Sequence, residues 1–264
     1  MSKSGKADGA GGGSASASSG KPTKTRLDVL VFERGLASSR ERAQALLLAG
    51  SILVNGQKAT KPGTQVASDS RVEMIGEPQK YVSRGGLKLE GALEDFGVSP
   101  EGRICLDVGS STGGFTDCLL QRGATRVYAV DVSNDQLDWK MRQDPRVMFI
   151  EKNARYLEPS DVAERAQLAV MDVSFISATK VLPALVGAVA PRAEILVLIK
   201  PQFELAKGEV GKCGIVKDAA LHQKAIESVT HAAATLGLEI LGVKPSHIAG
   251  TEGNQEFFLH ARAR

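Results

Sequence analysis

Cysteine is scarce in this chain. Cys105, Cys118 and Cys213 are all there are among 264 residues. Three is an odd number, and no two stand in CxxC spacing. Neither a disulfide framework nor a zinc site is expected, and a reducing cytoplasm suits the composition. Long apolar runs are missing too. Those present, such as "ILVLI" at 195–199, fall far short of the roughly 20 residues that a membrane helix needs. Residues 1–24, "MSKSGKADGAGGGSASASSGKPTK", hold no apolar stretch of the kind a secretory signal requires. Their Gly/Ser/Ala composition reads as a disordered tail. No amphipathic helix has a broad apolar face, so no stable membrane association is expected.

Net charge is small, +3, but uneven. Residues 21–80 carry 10 Lys/Arg against 6 Asp/Glu, and residues 81–264 carry 21 against 23. A basic module ahead of a slightly acidic body fits a nucleic-acid grip beside a catalytic unit. A merely solvated surface accounts for the charge equally well. The composition suggests a tail over 1–24, a small module over 25–76, a linker over 77–82 broken by Pro78, and a larger unit over 83–264.

The small module reads as helix, helix, hairpin. "RLDVLVFERG" places Leu27, Leu30 and Val31 on one face and stops at Gly35. Ser38 and Glu41 have the spacing of a capping box. The second helix is expected to bury Ala43, Leu46 and Leu47 and to end at Gly50. Asn55-Gly56 is a strong hairpin signal. Together with Arg26, Arg34, Arg40, Arg42, Lys58 and Lys61, this pattern resembles the S4-like RNA-binding domain, most specifically over "SRERAQALLLAGSILVNG". Several cations on a compact scaffold suit phosphates of folded RNA. No exposed aromatic is expected here, which argues against a base-stacking single-strand binder. Arg84 is a further candidate RNA contact.

"YVSRGGLKLEGALEDFGV" reads as a helix with Leu89, Ala92, Leu93 and Phe96 facing a core. Strands then alternate with helices. Strands are expected at 103–108, 126–132, 147–152, 168–173 and 194–200, and helices near 113–122, 134–142, 160–166, 176–189 and 217–236. Two closing strands, near 238–247 and 255–262, lack a helix between them, so the last runs antiparallel. The fold class is α/β with a mainly parallel sheet. Five βα units and a terminal hairpin resemble the Rossmann-like, seven-stranded class I methyltransferase sheet.

A dinucleotide turn wants G-x-G-x-x-G. Here the turn is Gly109-Ser110-Ser111-Thr112-Gly113-Gly114, without the middle glycine that lets a pyrophosphate approach. S-adenosylmethionine has no pyrophosphate. Asp107 before the turn suits its amino group, and Asp131, 22 positions after Gly109, suits its ribose. Asn153 and Ala154, in "NARYL", are placed near the adenine, with Trp139 either flanking it or in the core. A plain strand–helix connection and an NAD or FAD site are the competing readings.

The carboxyl ends of later strands carry further chemistry. Asp172 ends "LAVMD", Lys200 ends "EILVLIK", Glu256 stands in "NQEFF", and Lys88 sits in the preceding helix. Singly, each has a bland reading as a solvated residue, a cap or a rim salt bridge. In this order they resemble the K-D-K-E tetrad of FtsJ-type RNA ribose 2'-O-methyltransferases. From about residue 25 onward the chain resembles the TlyA family, long labelled hemolysins, through "YVSRGGLKLEGAL", "LDVGSSTGGFTD", "MDVSFIS", "LIKPQFE" and "GNQEFF". The resemblance implies methylation of cytidine ribose in ribosomal RNA or ribosomal subunits, with S-adenosylmethionine and without a metal. A lysine serves as base only when burial or a neighbouring cation favours its neutral form. Lys200 is expected as that base, Lys88 as the neighbouring cation and RNA holder, and Asp172 and Glu256 as their orienters.

The turn "DVSF" lacks the proline of amino-group methyltransferases, and Cys213 is misplaced for a carbon-5 enzyme. The loop "KGEVGKCGIVKD" reads as a basic lid or a disordered connector. A membrane-lytic protein and a catalytically inactive RNA-binding assembly factor are the other classes. The first lacks sequence support, and the tetrad argues against the second.

Overall fold

The computed structural model describes residues 23–37, 39–75, 80–211, 214–250 and 252–264. The chain divides into two compact units, Met1–Glu77 and Pro78–Arg264.

In the first unit, α1 (Leu27–Glu33) and α2 (Arg40–Leu48) bury Leu27, Val31, Ala43 and Leu47 around Ile52. Leu46, expected inside, is only partly covered. Strand β1 (Lys24–Arg26) pairs with β4 (Gln65–Ala67), so Lys24 belongs to a strand rather than to a tail. β2 (Ile52–Val54) and β3 (Gln57–Ala59) form the hairpin. Asn55 and Gly56 turn it with φ of 50° and 78°, as a two-residue type I′ loop demands. β5 (Val72–Met74) closes the other side of β2.

Helix α2 starts at Arg40, and its cap is Ser39, whose Oγ accepts from the Arg42 N–H at 3.1 Å. Ser38 of the expected capping box lies outside the described residues. Phe32 is 43% exposed, so this module does present an aromatic surface, contrary to the sequence expectation.

The module's cations are organised by one buried acid. Asp28 is fully buried and accepts from Arg26 Nε at 3.0 Å, from the second Arg26 nitrogen at 2.9 Å, and from Gln44 Nε2 at 2.8 Å. Arg40 adds a contact at 3.4 Å. The Arg26 hydrogen bonds hold the Asp28 carboxyl well below the usual carboxylate range, against its burial. A depressed carboxylate supports the fold above its unfolded value and loses that support only in strongly acidic solution. Arg34 donates instead to the Ser68 carbonyl at 2.9 Å, and the Lys58 stem lies against Gly50.

In the second unit, a seven-stranded sheet has the order β11-β12-β10-β9-β6-β7-β8. Its strands are β6 (Ile104–Val108), β7 (Arg126–Asp131), β8 (Val147–Glu151), β9 (Ala166–Met171), β10 (Val189–Ile199), β11 (Glu239–Pro245) and β12 (Phe257–Arg262). β12 runs antiparallel between β10 and β11. Alternation along β10 shows the layering. Ile195, Val197 and Ile199 face one core with Leu182, Leu185 and Val229, while Leu196 and Leu198 face another with Leu89, Leu93 and Leu119. A strand apolar on both faces is what a sheet covered by helices on two sides requires.

Helices α3 (Gly85–Phe96), α4 (Gly114–Gln121) and α8 (Ala219–Thr235) lie near their expected places, and α6 (Leu182–Ala188) keeps only the second half of its own. Three expectations fail for local reasons. The helix near 134–142 shrinks to α5 (Trp139–Gln143), because Asp138 caps it late by accepting from the Lys140 N–H at 2.9 Å. The helix expected at 160–166 is only a 3₁₀ turn, Pro159–Asp161. Asp161 there accepts from the Glu158 N–H and from Lys152 Nζ, each at 2.7 Å, which favours a turn over a helix. The helix expected from 176 begins at Leu182, with Pro183 in its first turn. Trp139 is 57% exposed and so is not a core residue.

Tyr81 and Val82, expected in the linker, are fastened to this unit. The Tyr81 ring is buried and its hydroxyl donates to Glu90 Oε1 at 3.0 Å. The Val82 N–H donates to Asp117 Oδ2 at 2.9 Å. Glycine lets α3 and α4 approach beside them. A Cβ on Gly114 would stand 2.2 Å from Ser83 Oγ and 2.9 Å from the Gly86 nitrogen. Gly114 is therefore required by helix packing, whatever it also contributes to a ligand.

Candidate active site

The sheet's strand order reverses direction between β6 and β9, the place where open α/β sheets bind ligands beyond their carboxyl ends. A cavity of about 470 Å³ opens there, and Lys88, Asp172, Lys200 and Glu256 all line it. The amphipathic pattern of α3 buries Leu89, Ala92 and Leu93 and leaves Lys88 on the margin of that stripe. Its Nζ lies 2.5 Å from Glu256 Oε2, a partner 168 positions away. Glu256 immediately precedes β12 and is 2% exposed. Gly250 closes over it, since a Cβ there would stand 2.6 Å from Glu256 Oε1. Lys200 leaves the end of β10, with Nζ 2.5 Å from Asp172 Oδ1 and 2.8 Å from Ser174 Oγ. The four residues thus form two lysine–carboxylate pairs on one cavity wall. A larger, mainly apolar groove of about 730 Å³, between α8 and β11, gathers none of them.

The glycine turn forms the neighbouring wall. Gly109 and Gly113 have φ of 87° and 89°, and Ser111 is held at 46°. Asp131 secures the turn. Its Oδ2 accepts from the Ser111 N–H at 2.8 Å and its Oδ1 from the Val132 N–H at 2.7 Å. Gly109 and Ser110 line the cavity with Gly114, whereas Gly113 is packed under Leu137 and Met141. Asn153 and Ala154 stand after β8, outside the lining of this cavity. Asn153 Oδ1 caps the 3₁₀ turn Ala154–Tyr156 by accepting from the Arg155 N–H at 3.1 Å. Arg84 lines the cavity beside Lys88.

Two buried polar atoms next to the turn lack a partner, Asp107 Oδ1 and Ser110 Oγ. Asp107 is fully buried, and its Oδ2 accepts from Thr116 Oγ1 at 2.6 Å. Burial pushes its carboxyl up to about 7; the Thr116 hydrogen bond opposes this, and Asp172 and Asp131 add repulsion. Unsatisfied acceptors in an acid-rich wall fit a ligand that brings an ammonium and a sulfonium. A carboxyl raised on folding stabilises the fold fully below its unfolded value near 3.9 and loses that contribution as pH rises through about 7. Asp107→Asn should therefore stabilise the cofactor-free protein at pH 8, by up to about 4 kcal/mol, and raise its melting temperature. It should weaken S-adenosylmethionine binding at the same time. Thermal melts at pH 5 and pH 8, with and without cofactor, check this, because the stabilisation must narrow at the lower pH.

Several cavity residues carried no sequence signal. Phe175 is 93% exposed with a left-handed φ of 64°, and its ring lies 5.3 Å from that of Phe203. An aromatic pair beside Lys200 offers a face on which a base can stack. Only an exposed aromatic inside "DVSF" could have suggested it. The loop after α7 (Pro201–Glu204) is pinned near its far end rather than free. Asn254 Oδ1 accepts from the Val216 N–H at 2.8 Å, and its Nδ2 donates to the Gly214 carbonyl at 2.9 Å. Lys212 and Cys213 of that loop lie outside the described residues.

Comparison with known proteins joins these observations. The FtsJ-like methyltransferase family model matches residues 81–263, and the S4 domain model matches residues 25–72. The chain belongs to the FtsJ-like methyltransferase family. The 16S/23S rRNA (cytidine-2'-O)-methyltransferase TlyA of Mycobacterium tuberculosis is 45% identical over 243 residues, 91% of each chain. Among solved structures, a Streptococcus thermophilus protein described as a hemolysin superposes with a TM-score of 0.70 at 44% identity, over 92% of this FtsJ-like methyltransferase and 90% of that chain. An S-adenosylmethionine-dependent methyltransferase from Mesorhizobium loti has a TM-score of 0.52 at 14% identity, over 68% and 100% of the two chains, and shares the fold alone. Among the described residues of this methyltransferase, no helix is long and apolar enough to cross a membrane.

Proposed function

We propose that the protein transfers a methyl group from S-adenosylmethionine to the ribose 2'-hydroxyl of a cytidine in ribosomal RNA, with Lys200 as general base. One observation carries the reading: two lysine–carboxylate pairs open on a single cavity beside the glycine turn. When bound, S-adenosylmethionine supplies an electrophilic methyl whose bonding pair stays with sulfur as it leaves. The chain does the rest. Asp107, Ser110 and the turn at Gly109 receive the amino-acid end, and Asp131 receives the ribose. Lys200 Nζ takes the 2'-hydroxyl proton as oxygen attacks. Asp172 orients that amine. Lys88, held by Glu256, keeps positive charge where the RNA phosphate arrives. Phe175 stacks on the target base. Arg26 and Arg40, ordered by Asp28, with Arg34, Arg42, Lys58 and Lys61, serve as phosphate contacts of the S4 unit. The activity for which the M. tuberculosis relative is named supports ribosomal RNA and cytidine.

The test uses ribosomal subunits from cells lacking the gene, the purified chain and methyl-labelled S-adenosylmethionine. Nuclease digestion and mass spectrometry are expected to find label on a cytidine 2'-oxygen. Label on a base, or none, would remove the proposal.

A further inference from the structure

We infer that Ser174 is a positioning residue for the base, aiming the free position of Lys200 Nζ at the substrate hydroxyl. The inference rests on the reading of Lys200 as that base. A neutral amine has two N–H bonds and one lone pair, and only the lone pair can take the proton. An amine free to rotate on a four-carbon stem presents it at random. Here Nζ donates to Ser174 Oγ at 2.8 Å, while Asp172 Oδ1 stands 2.5 Å away as an ion-pair neighbour without a hydrogen bond of its own. With one N–H committed to Ser174 and the Asp172 carboxylate standing against a second side of the amine, the position left for the lone pair is confined. Asp172 and Ser174 line the cavity and Lys200 lines it with them. The side chain of Lys200 is only 11% exposed, so water competes little for its donors.

The local chain makes this geometry rigid. Beyond β9, Val173 turns into the core, and its neighbours Asp172 and Ser174 turn outward into the cavity, the alternation of an extended chain. Two ties then lock this loop to the segment that follows Lys200. The Phe175 and Phe203 rings pack at 5.3 Å. Glu204 accepts from Ser177 Oγ at 2.6 Å and from the Ala178 N–H at 2.8 Å. Glu204 is largely withdrawn from water, and burial raises its carboxyl above the ordinary value despite those donors. The loop bearing Ser174 and the strand end bearing Lys200 are therefore held in register by contacts outside the cavity. Lys88 and Glu256 form the other pair, and no hydroxyl is bonded to Lys88 Nζ among the described residues. The asymmetry singles out Lys200.

The experiment compares Ser174→Ala, Ser174→Thr and Lys200→Ala in the full chain. Single-turnover and steady-state methylation of ribosomal subunits are followed across pH, and thermal melts confirm folding. Ser174→Ala is expected to lower kcat on the order of tenfold at the alkaline plateau, because orientation is lost. KM for RNA and for S-adenosylmethionine should stay within about twofold. The acid limb of the rate profile should move to lower pH, because the ammonium form has lost one acceptor. Ser174→Thr retains the hydroxyl and should restore both the rate and the limb. A wild-type rate and profile for Ser174→Ala overturns the inference, as does an effect confined to KM for RNA. An active Lys200→Ala overturns the reading beneath it. An inactive Lys200→Ala beside an unaltered Ser174→Ala removes the serine's role alone.

Discussion

Lys200→Arg should be as inactive as Lys200→Ala, with a loss of at least about 10³-fold in the methylation rate constant. Arginine keeps the positive charge near Asp172 but does not give up its proton in a protein. If Lys200 only supplied charge to hold Asp172 or RNA phosphate, arginine would preserve much of the rate. If it removes the 2'-hydroxyl proton, neither substitution leaves a base. A carboxylate 2.5 Å from the amine serves either role. Single-turnover labelling of ribosomal subunits separates them, and calorimetric titration with S-adenosylmethionine verifies that the cofactor still binds. Appreciable activity in the arginine variant would assign Lys200 to electrostatics and leave the base elsewhere.

Gly109→Ala is expected to cost about 3 kcal/mol of stability and to abolish cofactor binding. Two penalties combine there. The residue sits at φ 87°, a conformation that a side chain disfavours by about 1–2 kcal/mol. Its Cβ would also stand 2.3 Å from the Asp172 carbonyl oxygen and 2.9 Å from the carbonyl carbon. Both are backbone atoms of Asp172 at the end of β9, so relief requires β6 and β9 to part at the site. Gly97→Ala is the control. Its φ is 65°, and nothing lies within 4 Å of the added Cβ, so it should suffer the conformational penalty of about 1 kcal/mol alone. Thermal melts of the two variants, with and without S-adenosylmethionine, measure the difference. Equal destabilisation would mean that close approach at Gly109 does not matter.

What could be read from the residues tracked the strength of the local pattern. "ICLDV", "RVYAV" and "ILVLI" are short apolar runs bounded by turns, and each became a strand covered on both faces. Asn55-Gly56 specified a hairpin because few other residue pairs tolerate two positive φ angles in succession. The stretch at 160–166 failed because side-chain acceptors there compete with the helix, and only Val162 and Ala166, the latter already in β9, find the core. β1, β4 and β5 have three residues each, too few to display a period of two. At the site, the four tetrad residues came from a resemblance. Their pairing as Lys88 with Glu256 and Lys200 with Asp172 depends on contacts across the sheet that no local spacing encodes. Ser174, Phe175 and Phe203 were missed for the same reason. Each acquires meaning only through a partner more than twenty positions away.

The strand that fills the gap between β10 and β11 comes after both in chain order. During synthesis the preceding strands emerge while that slot stands empty, and Phe258 and Glu256 are still to be added. A nascent chain therefore cannot seat β12, nor bring Glu256 to Lys88, until translation has passed residue 262. On the proposed function the consequence is temporal: the ribosome that makes this enzyme cannot be modified by the molecule it is still building, so methylation falls to finished copies.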